Sequence, residues 1–198
     1  MTKAKRTAKK LHHIDRAMSE TAAAERQSGP MRVLAAVNEL SDQPPLIALS
    51  AATLAAGLVL RRPALTRGGA RMLASHLLAT AIKTAVKRSV DRTRPHSVDD
   101  GYDYRLEKGG SRSHHYSSFP SGHTAGAVAV ARAAARTWPA HAPAAAVSAT
   151  AVGAMQLPIG KHYAGDVIAG ALIGYAAEAA VGAIEAAVLP AMTRRSAS

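Results

Sequence analysis

Three short stretches bring bases, hydroxyls and a carboxylate to the ends of apolar segments, and each suits an anion. In KRSVDRTRP, Lys87 precedes Arg94 by seven residues, two turns of a helix that Pro95 would end. The spacing predicts two cations converging at one mouth. In SFPSGH, residues 118–123, Pro120 and Ser121 open a helix, Gly122 lets a ligand approach the backbone, and His123 sits in the first turn. The free N–H groups of such a helix start attract anions. In GKHYAGDVIAG, residues 160–170, His162 and Asp166 are four apart and share a helix face. A carboxylate so placed holds an imidazole in one tautomer and raises its basicity. Singly, each stretch has a plainer reading as a membrane anchor, a turn or a surface pair.

The elements that must hold these residues are apolar helices. The chain has 198 residues and 20.5 kDa, enough for one domain with a core but not comfortably for two. Lys and Arg total 25 against 13 Asp and Glu, a formal charge of +12 that implies an anionic partner. No cysteine is present, which excludes disulfides, thiolate zinc sites and a Cys nucleophile. Aromatics are only 4% of residues, so burial rests on Ala, Val, Leu and Ile. Residues 44–60 form 17 residues without a charge, about 25 Å of helix and the short end of a membrane span. A core helix of a soluble protein is the competing reading for that run. Residues 140–160 and 167–189 are also long and apolar, and that repetition favours a membrane.

Two further helices are apolar with a polar stripe. In residues 71–90, His76, Lys83 and Lys87 are spaced by seven and four, so they share one side, which cannot face lipid. In residues 121–138, Arg132 and Arg136 fall opposite His123 and are expected to anchor that helix end in headgroups. Gly122 and Gly126, or Gly170 and Gly174, stand four apart and permit close helix contact. Glu178 and Glu185 are seven apart on the last helix and can face its neighbours, where a structural ion pair is favoured over catalysis. The expected fold is therefore all-α, a membrane-embedded bundle of about five transmembrane helices. Residues 1–30 form a basic arm without the pattern of a secretory signal, 31–43 a short amphipathic interfacial helix, 44–192 the membrane domain, and 193–198 a tail. The arm has no aromatic residues interleaved with its bases, so nucleic acid is not an expected partner.

In this order, the three stretches resemble the signature of the type 2 phosphatidic acid phosphatase (PAP2) superfamily, in its bacterial integral-membrane form: K-x6-RP, then PSGH, then SR-x5-H-x3-D. Lys87 to Pro95 matches the first part, Pro120 to His123 the second, and His162 with Asp166 most of the third. The resemblance spans roughly residues 44–190. It implies a phosphoric ester or diphosphate hydrolase in which His162 attacks phosphorus, Asp166 orients His162, and His123 protonates the leaving oxygen. Lys87, Arg94, Ser121 and Gly122 would bind the phosphate, without a metal or other cofactor. The family's Ser-Arg pair falls on Met155 and Gln156, so one phosphate-binding cation is missing at its usual place; Lys161 is the expected surrogate. The alternative is a weakened relative that binds anionic lipids or a membrane partner. A third reading, vanadate-dependent haloperoxidase chemistry, fits the chain length and apolar helices poorly.

The implied substrate is a lipid phosphate: phosphatidate, a polyprenyl phosphate or diphosphate, or a lipid-linked sugar phosphate. The polar loop 96–118, with His96, His114 and His115, reads as a lid rather than a metal site. Arg61, Arg62, Arg67 and Arg71, Arg132 and Arg136, and Arg194 and Arg195 fall at one end of the expected bundle. Positive residues mark the cytoplasmic side, so the site is expected to face away from the cytoplasm of a bacterial cytoplasmic membrane.

Overall fold

The computed structural model describes residues 28–111 and 113–195, with side chains to residue 188 in the last helix. The expected basic arm lies outside the described residues up to position 27, as do positions 196–198 of the tail. Ser28 caps helix α1 (Gly29–Asn38) by accepting the Met31 N–H at 3.4 Å. A 3₁₀ turn (Glu39–Ser41) leads to α2 (Gln43–Val59), opened by two prolines. Helix α3 (Pro63–Lys87) returns against α2. Then come β1 (Val90–Arg92), α4 (Pro95–Asp99), β2 (Leu106–Lys108), α5 (Gly122–Thr137), α6 (Ala142–Met155) and α7 (Ala164–Arg195). α5 is central, packing on α3, α6 and α7.

Side-chain size is distributed inside out. The helix contacts are built from Ala79, Ala125, Ala129, Ala133 and Ala177, all essentially inaccessible, whereas Leu172, Ile168, Ile184 and Val147 are more than 60% exposed. Water would penalise such an exterior; lipid would not, and small residues let helix backbones approach closely. The Gly170–Gly174 pair shows the approach directly, since a Cβ at Gly174 would stand 2.4 Å from the Ala125 carbonyl oxygen. Among the described residues, Ala164–Val188 is the one helix long and apolar enough to cross a membrane by itself. α2 and α6 are 17 and 14 residues long, while α3 carries Arg67, Arg71, Lys83 and Lys87, and α5 carries Arg132 and Arg136 in its second half.

The structure departs from the expected helix through Arg94. α3 stops at Lys87, and Arg94 is extended (φ −71°, ψ 149°) because Pro95 disfavours helical geometry in the residue before it. The β-branched Val90 and Thr93 suit extended chain, and the segment between becomes a two-stranded antiparallel ribbon with Val90 opposite Lys108 and Arg92 opposite Leu106. An all-α reading omits this ribbon, which aims Arg92 at the site.

Candidate functional site

Asp166 organises one end of the bundle. It lies in the first turn of α7, fully buried, with Oδ1 accepting from Arg92 Nη1 at 2.5 Å. Oδ2 accepts from Ser118 Oγ at 2.6 Å and from the Tyr163 N–H at 2.9 Å. His162 precedes the helix instead of sharing its face, yet its Nδ1 comes within 3.7 Å of Asp166 Oδ2. That separation is an electrostatic contact rather than a hydrogen bond. Burial, opposed in part by Asp166, lowers the His162 pKa from 6.5 to about 4, with Arg94 and Lys87 pushing the same way. The imidazole is therefore neutral at pH 7 and keeps a lone pair for reaction. Arg92 and Ser118 escaped the sequence reading: in KRSVDRTRP, Arg92 looks like one more base, and Ser118 is one of several serines before Pro120.

Lys87 and Arg94 meet although they are not on one helix. Lys87 Nζ donates to the Ser117 carbonyl at 2.7 Å, and Arg94 Nη2 lies 3.4 Å from that oxygen and 3.3 Å from Ser117 Oγ. Arg94 Nε donates to the His114 carbonyl at 3.0 Å. Both cations are thus held by the same turn, and among the described residues no carboxylate is in direct contact with either. Arg94 and its burial also keep His114 deprotonated, with a pKa lowered to about 4.

Ser121 caps α5, its Oγ 2.9 Å from Thr124 Oγ1 and accepting the Thr124 N–H at 3.4 Å. Its own N–H donates to the Asp166 carbonyl at 3.0 Å, tying the start of α5 to the start of α7. Gly122, the first residue of α5, leaves open the space beside Lys83: a Cβ there would lie 2.9 Å from Lys83 Nζ. His123 Nε2 is 3.9 Å from Asp42 Oδ1. Arg94 acts electrostatically on His123 and on His162, so both imidazoles belong to the neighbourhood of one guanidinium.

The turn after α1 closes over this end. Gln156 is fully buried at the end of α6 and donates through Nε2 to Asn38 Oδ1 at 2.7 Å and to the Val152 carbonyl at 2.9 Å. Lys161, the expected surrogate cation, is ion-paired with Glu39. Glu39, Asp42 and His123 bring three metal-type donor atoms within 4.8 Å of one another, with Glu39 already engaged by Lys161. In the loop, His96 Nδ1 donates to the Gly160 carbonyl at 3.0 Å, while His115 stacks on Tyr102 at 4.1 Å and contacts Ser97 Oγ through Nδ1 at 3.1 Å. Separate partners hold those histidines.

The opposite end carries arginines. Glu178, fully buried, receives Arg71 Nη2 at 2.6 Å, Arg132 Nη2 at 3.2 Å and Arg136 Nε at 3.4 Å. Glu185 takes Arg71 Nη1 at 2.7 Å and pairs with Arg67. The structural ion pair expected of the two glutamates is present, and Arg132 and Arg136, expected in headgroups, also reach the buried Glu178 carboxylate, with Arg136 remaining half exposed.

Fold and site together define a helical-bundle protein with a basic, histidine-bearing cluster at one rim and an apolar girdle. The chain belongs to the PAP2 superfamily, whose family model matches residues 68–187. The fold is similar to the crystal structure of the first transmembrane PAP2 type phosphatidylglycerolphosphate phosphatase from Bacillus subtilis, at 20% identity and a TM-score of 0.56, covering 94% of this chain and 89% of that one. No curated protein matches the sequence.

Proposed function

We propose that the protein is an integral membrane phosphatase that hydrolyses a lipid-linked phosphate monoester or diphosphate through a phosphohistidine. The observation that carries this reading is the gathering of a neutral, buried His162, its Asp166 partner, His123, and the cations Lys87 and Arg94 at one rim of an apolar bundle. Because Nδ1 of His162 faces Asp166, Nε2 is the nitrogen presented to phosphorus. Its lone pair forms the N–P bond as the P–O bond to the leaving group breaks, and His123 gives that oxygen a proton. Water then attacks phosphorus and gives a proton to His123, and the N–P bond breaks with its electron pair returning to His162 Nε2, which releases phosphate. Lys87, Arg94 and the N–H groups at the start of α5 hold the equatorial oxygens as charge builds on them. The residues in these roles carry the reaction without a metal ion.

An apolar cavity of about 490 Å³ lined by Leu46, Leu49, Val130, Val152 and Met155 opens beside α1 and α6, next to the turn that covers the pocket. It offers space for the hydrocarbon of a lipid substrate. The girdle of exposed Leu, Ile and Val supports placement in a membrane, and the arginines gathered around Glu178 support a cytoplasmic position for that end, with the pocket on the other side. A second reading, a weakened relative, is favoured by one observation: Gln156 stands where the family carries Arg and is bound to Asn38.

Detergent-purified protein is expected to release phosphate, in the presence of a chelator, from at least one member of a panel containing phosphatidate, phosphatidylglycerol phosphate, a polyprenyl diphosphate and a lipid-linked sugar phosphate. His162→Ala is expected to abolish release. Full activity in that variant removes His162 as nucleophile, and silence of the wild type across the panel favours the second reading.

A further inference from the structure

We infer that Lys83 is a phosphate-binding residue of this pocket and supplies the third cation that Gln156 does not. The inference rests on the phosphatase reading for its substrate, but not for its geometry. Lys83 lies on α3 one turn before Lys87, on the side that already faces the bundle interior. Its Nζ stands against Gly122, 2.9 Å from where a Cβ would be, at the positively polarised start of α5. Among the described residues, its ammonium makes no hydrogen bond or ion pair, whereas Lys87 is bound to Ser117 and Lys161 to Glu39.

Its charged surroundings are mixed. The Arg94 and Lys87 cations repel it, while the carboxylate that attracts it, Asp42, is about half exposed, lies 3.9 Å from His123 and makes no ion pair with Lys83. A partly buried ammonium beside two other cations and a helix N-terminus is unfavourable until an anion arrives. A phosphoryl group bound over the first turn of α5, between Lys87, Arg94 and Lys83, satisfies all of them together. Lys161 is less available for the role, because it is already ion-paired with Glu39.

Three variants in detergent test this: Lys83→Met, Lys83→Arg and, for comparison, Lys161→Met. In Lys83→Met, kcat/KM for the best lipid phosphate should fall roughly 10²- to 10³-fold. Inhibition by orthovanadate, the free oxyanion probe, should weaken roughly ten- to hundredfold. Lys83→Arg should recover part of both, and Lys161→Met should weaken each by less than Lys83→Met does. Without anion, Lys83→Met should melt no lower than the wild type, since an unpaired charge is removed, and inorganic phosphate should stabilise it less. A lower melting point with unchanged orthovanadate affinity assigns Lys83 a structural role and overturns the inference. So does orthovanadate or phosphate binding that is equal in wild type and Lys83→Met. If the wild type hydrolyses no lipid phosphate, the phosphatase reading falls, while calorimetric binding of inorganic phosphate still decides whether Lys83 binds the anion; no binding to the wild type also overturns it.

Discussion

Arg92 Nη1 lies 2.5 Å from Asp166 Oδ1, closer than His162, whose Nδ1 is 3.7 Å from the other carboxylate oxygen. The carboxylate that faces the His162 imidazole is therefore anchored from behind by a guanidinium, by Ser118 and by a backbone N–H. Such anchoring fixes the direction from which Asp166 meets His162. Arg92→Met should leave a fully buried carboxylate short of its cation, a change that commonly costs about 3–5 kcal/mol. Thermal melting in detergent should show the loss, and Arg92→Lys should recover only part of it because one ammonium cannot repeat the planar fork. A melting point unchanged in Arg92→Met would remove the anchoring role.

On the proposed mechanism, the depressed pKa of His162 sets the acid limb of activity. Its folded value is lowered from 6.5 to about 4, so between those values the folded protein holds the imidazole neutral while an unfolded chain protonates it. The unfolded state then binds more protons, which means stability falls as pH drops from about 6.5 toward 4. Activity has the matching sign: the free base persists on acidification, and kcat/KM should not bend near 6.5 on account of His162. A pH–rate profile from 5 to 8, compared between wild type and His123→Gln, checks this. A limb near 6.5 that survives in the variant would contradict a neutral, buried nucleophile.

Motif spacing in the sequence points to the chemistry-bearing residues, and the structure brings most of them together, but by different means than spacing alone suggests. Lys87 and Arg94 meet through the Ser117 carbonyl and not along a helix, since Pro95 forces Arg94 out of helical geometry. His162 reaches Asp166 from outside the helix. Periodicity revealed the stripe of His76, Lys83 and Lys87, but it cannot tell a paired lysine from an unpaired one; that difference depends on which side chains other helices bring nearby. Arg92 was illegible because its partner is 74 residues away and its strand is only three residues long. The link from Asn38 to Gln156 spans 118 positions and has no local signal at all.

That link makes a prediction about the family's missing arginine. Gln156 and Asn38 are both fully buried and joined at 2.7 Å, so Gln156→Arg would bury a guanidinium against an amide oxygen. A buried charge with neutral partners is costly. Gln156→Arg alone should lower the melting point, and Asn38→Asp combined with it should recover stability by providing a counter-charge. The double-mutant cycle should therefore show a coupling of about 0.5–3 kcal/mol. Additive effects would mean that the two side chains do not share the contact.

Glu178 provides the contrasting case of a buried charge far from the pocket. Its carboxylate is fully inaccessible and receives Arg71, Arg132 and Arg136 from two helices, while the Arg132 guanidinium also lies 3.7 Å over the Tyr175 ring. Arg71 and Lys87 are 16 residues apart on α3, about 24 Å along the helix, so the cluster and the site occupy opposite ends. Glu178→Gln keeps the shape and removes the charge, leaving Arg71 with Glu185 and taking from Arg132 and Arg136 the carboxylate they reach. The expected result is a loss of about 3–5 kcal/mol in stability, because breaking a buried network strands its remaining charges. Turnover per folded molecule should stay within about threefold of the wild type, since no group near His162 or His123 has moved. Folded fraction measured by size-exclusion in detergent, alongside phosphate release from the same peak, separates the two effects. A large fall in specific turnover at unchanged stability would make Glu178 part of the reaction rather than of the scaffold.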